Sequence, residues 1–266
     1  MLDEAHGQPL SLEERATEPL VGGLKMHGYQ CGALWGAALA AGAEAHRVLG
    51  PGPKAELAAL AASQQLVGIL RDRHGSIDCD DINGTEAQDL TPASTFVHFF
   101  LKGGALRCVH LCSTFAPRAQ VAIQAAIAEP SDPPACSPVS CAAELARRAG
   151  ASDLHATMAA GLAGGVGLCG DACGALGAAT WLLGLRLLRD EGVDKLWDGE
   201  RFEAQFAHML ERYLEVSDYA FECAEVVGRP FEGIDDHAAW LQDGGCAAIL
   251  DALAEAVNAG PVEVGP

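Results

Sequence analysis

The chain has 266 residues, of which half are apolar, only 6% are aromatic and 31 are glycine, and it carries a formal charge of −19. That length allows one large domain or two small ones, and the acidic balance excludes nucleic acid and anionic membrane surfaces as partners, since both need a basic face. Many small residues and few bulky anchors predict closely packed helices, an all-α bundle.

The opening residues are acidic and polar, with no basic stretch leading into an apolar run, so no secretory signal is expected. The longest uncharged apolar stretch, residues 172–185, is too short to span a bilayer and closes with Arg186. A cytoplasmic protein is therefore expected, in a reducing compartment that disfavours structural disulfides.

Residues 1–20 read as a polar, mobile arm. Small residues crowd 30–45 into a buried helix that Pro51-Gly52-Pro53 breaks. Periodicity then resumes over 54–73, with Leu57, Leu60, Leu66, Ile69 and Leu70 near one face. A turn or short helix at 77–84 carries Cys79. Thr91-Pro92-Ala93-Ser94 reads as a helix start, followed by apolar helical stretches over 97–101 and 108–128. Pro-rich residues 130–137 form a linker between a first unit at 21–129 and a second at 138–258, and 259–266 is a tail. The second unit reads as a helix over 141–149, a flexible glycine-rich lead-in over 161–170 and a buried helix over 172–189. An amphipathic helix over 197–214 and a last helix opened by Asp243-Gly244-Gly245-Cys246 follow.

The two units say nearly the same thing. His27-Gly28-Tyr29-Gln30-Cys31-Gly32-Ala33-Leu34 is echoed by Cys169-Gly170-Asp171-Ala172-Cys173-Gly174-Ala175-Leu176. Cys79 follows Cys31 by 48 residues, and Cys223 follows Cys173 by 50. Overlaying them pairs His27 with Cys169, Cys31 with Cys173, Cys79 with Cys223, and Cys108 or Cys112 with Cys246. Local pairs four residues apart, closed by remote cysteines, are how helices build a site for a soft or borderline metal, iron–sulfur or zinc. Cys31, Cys79, Cys112, Cys173, Cys223 and Cys246 are the expected metal ligands. Free cysteine also behaves as a small buried apolar residue, and Cys136, beside the linker, reads that way. His110 reads as a solvated helix residue, and Asp80-Asp81 and Asp235-Asp236 as solvated turns. Gly164-Gly165-Val166-Gly167 is no phosphate loop, since no strand precedes it and no Gly-Lys-Ser/Thr follows.

The sequence around these cysteines resembles the C_GCAxxG_C_C family of redox-active proteins. In the second unit Cys141 takes the lone-cysteine place, Cys173-Gly174-Ala175 with Gly177 the central motif, and Cys223 and Cys246 the last two places. In the first unit Cys31-Gly32-Ala33 with Gly36, Cys79, and Cys108 or Cys112 match, but the lone first cysteine is missing. Both copies read Cys-Gly-Ala where the family's name spells Gly-Cys-Ala. The resemblance implies redox activity through cysteines, with an iron–sulfur cluster as the expected cofactor.

Three readings follow: an electron-transfer protein with a cysteine-ligated cluster or other metal in each repeat; a metal-free thiol–disulfide or sulfur-carrying protein; and a zinc-stabilised helical scaffold. A redox partner protein or a small-molecule substrate is expected without being named. The oligomeric state is open, a homo-oligomer included.

Overall fold

The computed structural model describes residues 7, 9–84, 97, 103–132, 134, 136–190, 192–193, 195–197 and 199–260. The first repeat contains α1 (Ser11–Arg15), a 3-10 turn (Glu18–Leu20), α2 (Gly32–Leu49), α3 (Pro53–His74), α4 (Cys79–Asn83) and α5 (Gly104–Ala128). The second contains α6 (Cys141–Arg148), α7 (Asp153–Ala160), α8 (Gly174–Asp190), α9 (Glu200–Val216), α10 (Cys223–Val227), α11 (Ile234–Gln242) and α12 (Ala247–Asn258). The protein is all-α: among the described residues there is no strand, only the isolated bridges Gln30–Asp78 and Ala172–Glu222. The helix start expected at Thr91 and the stretch 97–101 lie outside the described residues, apart from Val97.

Local chemistry sets the helix ends. Pro53 opens α3, where its missing N–H costs nothing, and Gly75 closes it in the left-handed conformation. Ser140 and Ser152 cap α6 and α7, their side chains accepting the Ala143 and His155 N–H groups. α8 is buried nearly all round up to its charged last turn, as the uncharged Ala/Gly/Leu-rich stretch before Arg186 should be. In α9 only one face is, through Phe202, Phe206, Met209 and Tyr213.

Residues 11–20 are not the mobile arm expected. Ala16 and Leu20 are fully buried, and the Glu13 carbonyl accepts the Trp181 indole N–H at 3.1 Å. The arm is polar along one side only, and its apolar side rests on the second repeat. The exchange is reciprocal: α1 packs on α8, and its counterpart α7 packs on α2. Residues 142 positions apart therefore meet: His155 Nε2 lies 3.1 Å from Glu13 Oε1, and Gln30 Nε2 donates to the Ala172 carbonyl at 3.2 Å. In a two-fold contact, a residue on the axis meets its own copy. The repeats are thus related as two subunits fused into one chain, sharing one continuous core.

The lead-in to each central cysteine is not a flexible glycine loop either. Gly22 to Met26 with Gly28, and Gly164 to Leu168 with Gly170, all have φ between 56° and 89°. Each run is a left-handed turn with the same hydrogen bonds. Lys25 N–H donates to Pro19 O at 2.8 Å and Gly28 N–H to Gly22 O at 3.0 Å; Gly167 N–H donates to Gly161 O at 3.0 Å and Gly170 N–H to Gly164 O at 2.9 Å. Left-handed geometry costs an L-residue roughly 1–2 kcal/mol. Leu24 and Val166 accept that cost while fully buried. Glycine stands where no side chain fits: a Cβ on Gly23 would lie 2.3 Å from Tyr29 N, and one on Gly165 2.5 Å from Asp171 O.

Candidate functional site: two rings of thiols

In both repeats the segment after the left-handed turn is clamped to the segment carrying the next cysteine. Cys31 N–H donates to Ile77 O at 2.8 Å and Cys79 N–H to Tyr29 O at 2.7 Å. Cys173 N–H donates to Phe221 O at 3.0 Å and Cys223 N–H to Asp171 O at 2.8 Å. These paired bonds carry Cys31 beside Cys79 and Cys173 beside Cys223, across the long helical excursions between them. All ten cysteines are free thiols.

In the second repeat Cys141, Cys173, Cys223 and Cys246 line one small cavity together with His237. Its volume is about 10 Å³, close to the ~10–15 Å³ that a single water needs. Each thiol stands where a helix begins. Cys141 is the first residue of α6, Cys173 directly precedes α8, Cys223 is the first residue of α10, and Cys246 directly precedes α12. Three of these helices are long enough to present a positive dipole end, which favours sulfur as the anion. Backbone N–H groups of Ala175 and Leu176 reach Cys173, and those of Ala142 and Gly164 reach Cys141. Trp240 Nε1–H donates to Cys246 Sγ at 3.3 Å.

Without a counter-charge these donors do not prevail. Burial first, then the neighbouring thiols Cys173, Cys141, Cys246 and Cys169, push Cys223 far above the ordinary thiol range. Cys141 is driven the same way by burial and by Cys246 and Cys173, and burial lifts Cys246 to about 11. The ring is built for anionic sulfur yet holds its protons.

In the first repeat four thiols lie within electrostatic reach of one another, with a different fourth member. Burial, resisted by the Ala33 N–H, and then Cys79, Cys112 and Cys108 lift Cys31 to about 12. Cys79 rises to about 11, through burial before all else, and Cys112 also rises. Asn83 ties two of the thiols: its Nδ2 donates to Cys79 Sγ at 3.5 Å, and Cys108 Sγ donates to its Oδ1 at 3.7 Å. The sequence offered Cys108 or Cys112; both are in the group, one helical turn apart on α5. Together they make up the count that the missing lone cysteine left short.

The residues paired in the overlay as His27 and Cys169 stand apart from the rings, near the axis. His27 packs on Phe221 with centroids 5.3 Å apart, and burial lowers its pKa. Cys169 donates to Gly165 O and accepts from Gln30 Nε2 at 3.9 Å, although its charge still reaches Cys223. Cys141 thus takes the place on the cavity that the overlay gave to Cys169. Tyr29 stacks on Phe221 at 4.7 Å. Asp78 faces Asp171, and burial followed by that contact raises it to about 8. Gln30, buried beside Cys31, also donates to Gly165 O at 2.9 Å, so one side chain joins the two cysteine segments. His110 is exposed, and Asp236 is paired with Arg229 at 2.6 Å.

His237, Trp240, Asn83 and Gln30 were not singled out from sequence. A signal existed for the first: His237 precedes Cys246 by nine residues, and His98, outside the described residues, precedes Cys108 by ten. As donors, four thiols and an imidazole on one cavity suit a thiophilic ion. Among the described residues no three His, Cys, Asp or Glu side chains already stand in metal-holding geometry. Each ring is therefore a set of donors and not a finished shell. No helix among the described residues is long and apolar enough to cross a membrane.

A family model described as "Putative redox-active protein (C_GCAxxG_C_C)" matches residues 1–120 and again 135–259, leaving out the end of α5 and the linker. No curated protein and no solved structure matches the chain.

Proposed function

The chain belongs to the C_GCAxxG_C_C family of redox-active proteins, in two tandem copies, and on that premise we propose that it is an electron-transfer protein with one thiolate-held iron centre per repeat. Cys141, Cys173, Cys223 and Cys246 would hold the second centre, and Cys31, Cys79, Cys108 and Cys112 the first. Iron, as a cluster or a single ion, supplies one-electron chemistry when bound. The observation that carries the reading is the four-thiol cavity itself. Four separate segments bring sulfur to the wall of one cavity, three of them at the start of a dipole-bearing helix. Such a site favours thiolates only when a cation offsets their mutual repulsion.

The chain's own groups have definable tasks. The N–H donors from Ala175, Leu176, Ala142, Gly164 and Trp240 orient the sulfurs and stabilise their charge, which raises the potential of a centre they surround. The apolar walls, with Phe231 and Ile249 among them, exclude water. Gln30 links the two cysteine segments. The acidic surface favours a redox partner with a basic patch.

A metal-free thiol–disulfide protein fits less well. Its attacking group must be a thiolate, and burial raises the pKa of Cys31, Cys79, Cys112, Cys141, Cys173, Cys223 and Cys246. Zinc would use the same donors and give a scaffold instead of a redox protein.

Protein prepared without oxygen should be coloured, contain iron, and bleach on reduction, with acid-labile sulfide reporting a cluster. Colourless, iron-free protein overturns the reading. Zinc in iron's place leaves the scaffold, and a loss of free thiols on oxidation, without metal, leaves the disulfide chemistry.

A further inference from the structure

His237 is almost fully buried, at 1% exposure, and lines the cavity of the four thiols. Phe231 packs edge-on against its ring, with centroids 4.8 Å apart and planes at 86°. Its Nδ1 lies 3.2 Å from the Val139 carbonyl, two residues before Cys141. A carbonyl can only accept, so in the neutral ring Nδ1 carries the hydrogen and Nε2 keeps the lone pair. A backbone carbonyl on one ring nitrogen is the usual support for an imidazole whose other nitrogen binds a metal, because it fixes both tautomer and ring angle.

We propose that His237 Nε2 is a direct nitrogen donor to the metal of the second centre, making its ligand set mixed thiolate and imidazole. Cysteine spacing and the family's name describe only the sulfur, so this donor lies outside both. A neutral imidazole places less negative charge on the metal than a thiolate does, which raises the reduction potential. His98, ten residues before Cys108 where His237 is nine before Cys246, marks the matching place in the first repeat by sequence. The inference rests on the iron-centre reading and adds to it the identity of a ligand.

The test is pulsed EPR of iron-loaded protein carrying 15N-histidine, with His237→Asn as comparison. Asparagine can still offer an N–H to the Val139 carbonyl but has no atom to replace Nε2. The expected result is hyperfine coupling to histidine nitrogen in the wild type that falls in His237→Asn, together with a lower midpoint potential. Iron uptake without nitrogen coupling in the wild type, or coupling undiminished in His237→Asn, overturns this inference and leaves the iron centres standing. A wild type that takes up no iron removes both. Should His237→Asn fail to fold, the comparison becomes iron-loaded His98→Asn: histidine-nitrogen coupling that persists there supports the inference, and its complete disappearance overturns it.

Discussion

Trp35 and Gly177 hold the same position in the two repeats, 142 residues apart, and they meet: a Cβ on Gly177 would lie 2.2 Å from Cζ3 of the Trp35 ring. Together with Glu13–His155 and Gln30–Ala172 they mark the two-fold axis between the repeats. Two indoles could not share that place. One copy keeps the large side chain, fully buried with its Nε1–H on the Gln30 carbonyl at 3.0 Å, and the other has none.

That pair can be separated by a mutant cycle. Trp35→Ala should cost about 3–5 kcal/mol through the cavity it leaves. Gly177→Leu alone should cost at least about 1–3 kcal/mol through overpacking against the indole. Trp35→Ala with Gly177→Leu should be more stable than the sum of the separate losses allows, because the leucine fills the space the indole leaves. Urea denaturation measures all of these, and strict additivity would mean that the two positions do not touch.

Thiol labelling checks the rings before any metal is added. With Cys31 lifted to about 12 and Cys79 and Cys246 to about 11, little thiolate exists at pH 8. Alkylation of these three in the folded protein should run on the order of 100-fold slower than in the unfolded chain, and accelerate steadily as pH rises. Peptide mass spectrometry after timed alkylation reads each site separately. Rates within a few-fold of the unfolded chain would show that the thiols are not held as described.

Iron stoichiometry should divide by repeat. Cys223→Ser should remove the iron of the second centre and leave that of the first, and Cys31→Ser should do the reverse, so each variant retains half. The two rings share no cysteine, although Gln30 links their segments. A variant that loses all its iron would place a single centre between the repeats instead.

The metal-free protein should report His237 through pH. Burial lowers its pKa to about 4, below the ~6.5 of an unfolded histidine. Between those values the unfolded chain binds more protons than the folded one, so stability rises with pH across the window, by up to about 3 kcal/mol from this group. The stability difference between wild type and His237→Asn should therefore grow from pH 4 to pH 7. A constant difference would indicate that the imidazole is not buried as a neutral group.

The sequence by itself determined the helices, the duplication and most of the thiols. Small-residue runs, caps such as Ser140 and Ser152, and cysteines kept in register are local properties, readable in one dimension. It also carried the family pattern, down to Cys141. Only the tertiary structure decided the rest. Whether Cys108 or Cys112 comes near Cys31 depends on how α5 lies against α4, and the charge of both reaches Cys31. The glycine-rich lead-ins look flexible because glycine permits many conformations, yet burial of Leu24 and Val166 selects one left-handed turn. The arm at 11–20 looks mobile until the second repeat covers its apolar side. His237 is invisible to cysteine counting because it reaches the cavity on α11, a helix that carries no thiol. Long-range packing set these outcomes, since each depends on a surface supplied by residues far away in the chain.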